Sequence, residues 1–189
     1  GQFQGAYLRD TLKLDTAKEP VYIELFTGPT DDNNVNFFFP GAMDILNPYI
    51  KKGVLVVRSG QTEKAQVATP NWSTEEAQKR MENLISAYGY GPTGKKLHAV
   101  LSSNDSVAQG ITNALVAAGY TKENFPLLTG QDCDITSVKN MLKGRQSMSV
   151  FKDTRTLAGK VSEMIDALVK GTKPPINDTK TYNNGTGVI

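Results

Sequence analysis

Short apolar runs alternate with longer amphipathic stretches over most of this chain. Runs at 20–26, 54–57, 97–101 and 126–128 are brief and bounded by Gly, Ser, Pro or charged residues. Runs of that length and setting read as strands buried on both faces of a parallel sheet. Between them the apolar positions recur with helical period. In 73–88, Ser73 and Glu76 have capping-box spacing, and Ala77, Met81, Leu84, Ile85 and Tyr88 share one face. In 105–118, Val107, Ile111, Ala114, Leu115 and Ala118 form a second such face, and Gly119 supplies a stop. In 154–170, Leu157, Val161, Met164, Ile165 and Leu168 form a third, ahead of Gly171.

Segment 34–52 also has helical spacing, but it contains Pro40, which lacks a backbone donor and crowds the preceding turn. The expectation there is a short turn before Pro40 and a helix that starts near it. Alternation of strand and helix over 21–142 implies right-handed βαβ units, hence a doubly wound parallel sheet in a three-layer α/β/α sandwich. Beyond Gly144 the pattern changes. Residues 146–152 read as extended, one long helix follows, and 172–189 is rich in Pro, Asn and Gly, with a last strand expected around 180–182. The apolar stripe of the 154–170 helix needs a sheet to cover it. If this chain has no such sheet, the helix belongs to a second lobe whose other strands preceded Gly1. The chain also opens inside a helical pattern, at Gly1-Gln2-Phe3-Gln4, so an amino-terminal portion, together with any export signal, is expected to be missing.

Composition narrows the class. With 189 residues, 39% hydrophobic and 21% charged, the chain suits one globular domain or slightly more. The net charge of +2 is small and the basic residues are spread out, so no electrostatic footprint for nucleic acid appears. Cys133 is the single cysteine, which excludes an internal disulfide or a cysteine metal cage, and the lone His98 reads as packed in or beside a strand. Asp31, Asp32 and Asp134 lack the spacing of a calcium loop, so neither metal nor cofactor is expected. No phosphate loop or nucleophile elbow occurs, and one histidine leaves no partner for a Ser or Cys triad. Binding without turnover is the expectation, with a doubly wound enzyme as the weaker option. No stretch approaches the ~20 apolar residues that span a bilayer.

Four polar loops each follow an expected strand: 27–34, 69–73, 102–105 and 129–132. In a parallel α/β sheet the carboxyl ends of the strands share one edge, so these loops converge on one crevice. Their Asn, Asp, Gln and Trp side chains suit a neutral polyhydroxylated ligand, which points to a sugar.

Several segments carry a family resemblance: Gly28-Pro29-Thr30-Asp31-Asp32-Asn33-Asn34, Arg80-Met81-Glu82-Asn83-Leu84, Ser103-Asn104-Asp105, Gly130-Gln131-Asp132, Phe151-Lys152-Asp153-Thr154-Arg155 and Asn177-Asp178-Thr179-Lys180-Thr181-Tyr182-Asn183-Asn184-Gly185. In order and spacing they resemble the monosaccharide-binding periplasmic proteins of ABC importers, in the multiple-sugar-binding and xylose-binding branches. That resemblance implies a type I periplasmic binding protein with two lobes and a three-stranded hinge. It divides this chain into a carboxyl-terminal sugar-binding lobe at 1–145, a hinge strand and helix of the other lobe at 146–174, and a return segment at 175–189.

The resemblance also implies residue roles. Asn34 and Asn104 stand where the family has amide contacts to sugar hydroxyls, Trp72 where an indole stacks on the pyranose, Asp132 where a carboxylate accepts from hydroxyls, and Lys152 where a cationic donor lies near the hinge. Each has a plainer reading. Asn34, with Asp32 and Asn33, suits helix capping; Asp132 suits a cap for 134–142; Trp72 suits ordinary core; Lys152 suits a solvated surface. Asp105 is taken as an N-cap, which leaves Asn104 as the contact. Pro40 and Cys133 depart from the family pattern without touching these contacts.

The implied partners are a monosaccharide of xylose, glucose, galactose or arabinose type and an ABC permease, with the membrane reached only through that permease or a lipid anchor. The implied location is the periplasm or the cell surface as a lipoprotein. The alternative is a sugar-sensing effector domain of a repressor or of a signalling receptor.

Overall fold

A computed structural model describes residues 1–175; the strand expected at 180–182 and most of the segment 175–189 lie outside the described residues. The chain divides into two units, Gly1–Phe151 and Lys152–Ile189.

The first unit is built on a parallel four-stranded sheet of order β2-β1-β3-β4. Its strands are β1 (Val21–Phe26), β2 (Leu55–Val57), β3 (Ala99–Ser102) and β4 (Leu127–Leu128), with registers such as Ile23 opposite Val57 and Leu25 opposite Leu101. Helices α1 (Gln2–Thr11), α2 (Val35–Lys51), α3 (Thr74–Tyr88), α4 (Asp105–Ala117) and α5 (Ile135–Leu142) surround it. A short parallel pair, β5 (Gln131–Asp132) and β6 (Val150–Phe151), extends the β4 edge. Ser147 N and Val150 N donate to Leu128 O and Gly130 O, which fixes that extension.

Period-2 alternation divides the core. Ile23, Leu25, Ala99 and Leu101 pack with Leu8, Phe39, Met43 and Leu46 on the face covered by α1 and α2. Phe26, Val100 and Leu128 pack with Met81, Leu84, Ile111 and Leu115 on the face covered by α3 and α4. This is the doubly wound, three-layer arrangement that the alternating pattern predicts.

Helix α2 corrects one expectation, because it starts at Val35 and runs through both Pro40 and Pro48 to Lys51. Pro40 forfeits one helical hydrogen bond. Val35, Phe39, Ala42, Met43 and Leu46 stay buried along a single stripe, and burying that stripe outweighs the bonds lost at the two prolines. Helix α3 begins as its sequence signals, with Ser73 Oγ accepting from Glu76 N at 3.3 Å, and Gly89 closes it at φ +66°.

In the second unit, α6 (Thr154–Val169) is capped by Asp153, which accepts from Arg155 N at 3.2 Å and from Thr156 Oγ1 at 2.8 Å. Its apolar residues Leu157, Val161, Met164, Ile165 and Leu168 are exposed.

Candidate functional site

The strand order reverses between β1 and β3, since β1 leads outward to β2 while β3 leads to β4 on the other side. Loops leaving the carboxyl ends of such a strand pair diverge and open a crevice. The polar loops meet along this edge. Ser103 Oγ donates to Thr27 Oγ1 at 3.0 Å, which joins the loops after β3 and β1. Thr27 bridges Ala68 of the loop after β2. Ser102 and Thr129 exchange hydrogen bonds of 2.8 and 2.9 Å, which draws in the loop after β4. From α1, the buried Gln4 Nε2 donates to Ser102 O at 3.0 Å and to Gly130 O at 2.9 Å and pins two of these loops together.

Asn34 is exposed at the start of α2 and makes no side-chain capping bond; its backbone N–H donates to Asp32 Oδ1 at 2.8 Å. The capping role weighed for Asn34 therefore falls to Asp32. The other oxygen of Asp32 accepts from Trp72 Nε1 at 2.9 Å. Trp72 is half-buried and packs against residues of both core clusters, so part of its surface is ordinary core. Its ring lies on Gly28, where a Cβ would come within 2.3 Å of the indole, so only glycine admits the ring there. A hollow of about 280 Å³, lined by Pro29, Thr30, Asp31, Ala68, Pro70 and Asn71, adjoins the Pro70–Trp72 turn.

The loop after β3 corrects a second expectation. Asn104, not Asp105, is the N-cap of α4: it has extended backbone and its Oδ1 accepts from Val107 N at 3.0 Å. Capping uses the amide oxygen and leaves the Nδ2 hydrogens as what Asn104 can offer a ligand. Asp105 is 1% exposed and forms a buried junction, accepting from Gln146 Nε2 at 3.0 Å, Ser149 Oγ at 2.8 Å and Asp134 N at 2.8 Å.

Asp132 is half-buried on β5 opposite Phe151, and the cap position of α5 belongs to Asp134. Asp132 and Cys133 both have positive φ, +95° and +59°. Lys152 is exposed and follows Phe151 directly, as the first residue of the second unit. Asn34, Trp72, Asn104 and Asp132 thus share one edge of the first unit, with Asp32 as a direct link between the first two.

Beneath this edge lies a polar layer that sequence reasoning missed. Glu24, fully buried in β1, accepts from Tyr90 OH at 2.6 Å, Ser59 Oγ at 2.6 Å and Ser59 N at 3.1 Å. Burial first, and then Glu24, push the Tyr90 phenol up. Arg80 lies 4.1 Å over the Phe26 ring and donates to Leu25 O at 2.8 Å and Gln61 Oε1 at 2.5 Å, which fastens the carboxyl end of β1 to the loop after β2. Burial lowers the Arg80 guanidinium to about 10 against the raising influence of Glu24. An acidic residue inside an apolar strand run was the available signal, because a buried carboxylate requires donors. Gln4 carried no comparable signal.

Among the described residues no cluster of His, Cys, Asp or Glu could hold a metal ion, and no helix is long and apolar enough to cross a membrane.

A sequence model of the family described as "Periplasmic binding protein domain" matches residues 1–173. The chain is 46% identical over 191 residues to a multiple sugar-binding periplasmic protein of Azospirillum brasilense, covering 100% of this chain and 52% of that protein. It is 45% identical over 191 residues to a multiple sugar-binding periplasmic receptor of Rhizobium radiobacter, covering 100% and 53%. The chain therefore spans about half the length of the curated relatives it matches. Among solved structures, an ABC transporter solute-binding protein from Clostridium phytofermentans with bound β-D-glucose superposes with a TM-score of 0.90 at 55% identity, over 100% of this chain and 57% of that one.

Proposed function

Because this chain belongs to the periplasmic binding protein domain family, we propose that it forms the carboxyl-terminal part of a solute-binding protein that captures a monosaccharide between two lobes and delivers it to an ABC sugar importer. The family is one of transport binding proteins rather than enzymes, and the chain's role is capture without turnover. The observation that carries the reading is the meeting of four polar loops on one sheet edge, where Asp32 accepts from Trp72 Nε1 at 2.9 Å and from the Asn34 backbone N–H at 2.8 Å.

A pyranose presents hydroxyls that both donate and accept, and a C–H face that is apolar. The amides of Asn34 and Asn104 supply donors, with an acceptor still available on Asn34. Asp132 supplies a charged acceptor, which makes short and strong bonds to hydroxyls. The indole of Trp72 supplies a flat apolar surface for the C–H face. Lys152 is a further donor at the start of the hinge-crossing segment.

In this reading 1–145 is the sugar-binding lobe, 146–174 is a hinge strand and helix of the other lobe, and 175–189 is the return segment. The other lobe would close over the sugar, exclude water and create the surface that the permease recognises. The Azospirillum and Rhizobium relatives, named for binding multiple sugars, and the β-D-glucose held by the Clostridium protein support a hexose or pentose as ligand. The periplasm, or the cell surface through a lipid anchor, is the corresponding location.

The test is calorimetric titration of the full-length protein with D-glucose, D-xylose, D-galactose and L-arabinose. Saturable binding of at least one is expected, and no binding of any would reject the assignment. Residues 1–189 alone should bind weakly, because half of the pocket is contributed by the other lobe. Equally tight binding by them would refute the two-lobe cleft.

A further inference from the structure

We propose that Asp105 and Ser149 form a positioning clasp that sets the direction of the Asp132 carboxylate and couples it to β6, the strand by which the chain leaves the lobe. The proposal rests on the reading of Asp132 as a sugar contact and adds two residues that touch no ligand.

Asp132 and Cys133 are consecutive non-glycine residues with φ of +95° and +59°. Side chains with a Cβ disfavour that region, so such a pair persists only where neighbours hold it. Two bonds hold the backbone immediately downstream of Asp132. Cys133 N donates to Ser149 Oγ at 3.0 Å, and Asp134 N donates to Asp105 Oδ2 at 2.8 Å. The Ser149 hydroxyl donates in turn to Asp105 Oδ1 at 2.8 Å and Oδ2 at 3.0 Å. It therefore relays between the loop amide and the buried carboxylate, using its proton in one direction and a lone pair in the other.

Further contacts complete the clasp. Gln146 Nε2 ties Asp105 Oδ1 at 3.0 Å to Met148 O at 3.1 Å, which orders the strand leading to β6. Gly130 leaves the necessary room: a Cβ there would fall 2.1 Å from Asp105 Oδ1 and 2.4 Å from Gln146 Nε2. Asp105 is the first residue of α4 and follows the cap Asn104, so one helix terminus sets the place of both Asn104 and Asp132. At 1% exposure Asp105 cannot reach a ligand itself. The register pairs Asp132 with Phe151, the last residue of the first unit.

The experiment uses the full-length protein, with the monosaccharide that binds most tightly among D-glucose, D-xylose, D-galactose and L-arabinose. Ser149→Ala should lower affinity about tenfold, and Ser149→Thr, which keeps the hydroxyl, should restore it. In an Asp132→Asn background, Ser149→Ala should change affinity less than about twofold, because a residue that acts only by aiming Asp132 has nothing left to aim. Unchanged affinity in Ser149→Ala, or the same factor in both backgrounds, overturns the clasp.

Amide hydrogen exchange supplies an independent reading. Cys133 N–H should lose protection in Ser149→Ala and Asp134 N–H in Asp105→Asn, while core strands keep theirs, and unchanged exchange at both positions also overturns the proposal. If the wild-type protein binds none of the four sugars, the monosaccharide assignment fails instead, and the exchange measurement still decides the clasp.

Discussion

The indole Nε1 of Trp72 donates to Asp32 Oδ2 at 2.9 Å across forty positions of sequence, while Asp32 Oδ1 accepts from the backbone of Asn34 at 2.8 Å. One carboxylate thus starts helix α2 and steadies the aromatic ring proposed to stack on the sugar. Asp32→Ala should remove both bonds, cost about 1 to 3 kcal/mol of stability and weaken monosaccharide binding. Thermal unfolding and titration of the full-length variant check this, together with the ligand-induced fluorescence change that Trp72→Phe should abolish. Wild-type affinity in Asp32→Ala would separate Trp72 and Asn34 from binding.

Asp132→Ala should cost about 2 to 3 kcal/mol of binding free energy, because the sugar hydroxyls lose a charged acceptor and stay buried. Calorimetry of the full-length protein measures it. A loss of only a few tenths would remove Asp132 from the ligand shell.

Gly28→Ala places a methyl group 2.3 Å from the Trp72 ring. Either the indole or the β1 loop must shift, so the substitution should destabilise by about 1 to 3 kcal/mol and displace the stacking surface. Chemical denaturation reports the first effect and the quenching of Trp72 by acrylamide reports the second. An unchanged Trp72 environment would mean that the ring does not rest on Gly28.

His98 Nδ1 accepts from Tyr22 N at 3.0 Å, which requires the unprotonated nitrogen. Burial, and then the positive Lys96 and Arg58, hold the imidazole below its ordinary value of 6.5. The unfolded chain therefore takes up the proton more readily, so this contribution to stability is complete above pH 6.5 and is lost as pH falls below it. Urea midpoints of wild type should fall more steeply between about pH 7 and pH 5 than those of His98→Gln. Parallel profiles would rule the imidazole out as the source.

Most of the scaffold was legible in the chain. The runs at 20–26, 54–57, 97–101 and 126–128 became β1 to β4 with ends shifted by a residue or two, and the Ser73 and Glu76 spacing became the observed cap. Pro40 was misread because a local rule about one missing donor was set against a whole buried stripe, and burial prevailed. Asp105 was misread as the N-cap because both side chains suit that role; only the extended backbone at Asn104, φ −149° and ψ 175°, identifies which of them stands outside the helix.

Hydrophobic period and turn chemistry are local properties, so the amino-acid order by itself determined the parallel α/β layering and brought the loops after β1, β2, β3 and β4 to one edge. Which polar atoms meet there was decided by tertiary structure. The pairings of Asp32 with Trp72, Asp105 with Ser149, and Gln4 with Gly130 join positions 40, 44 and 126 apart. No periodicity connects such positions. They meet because a buried polar atom is costly unless another element presents its complement, and only the packed layers bring that complement within 3 Å.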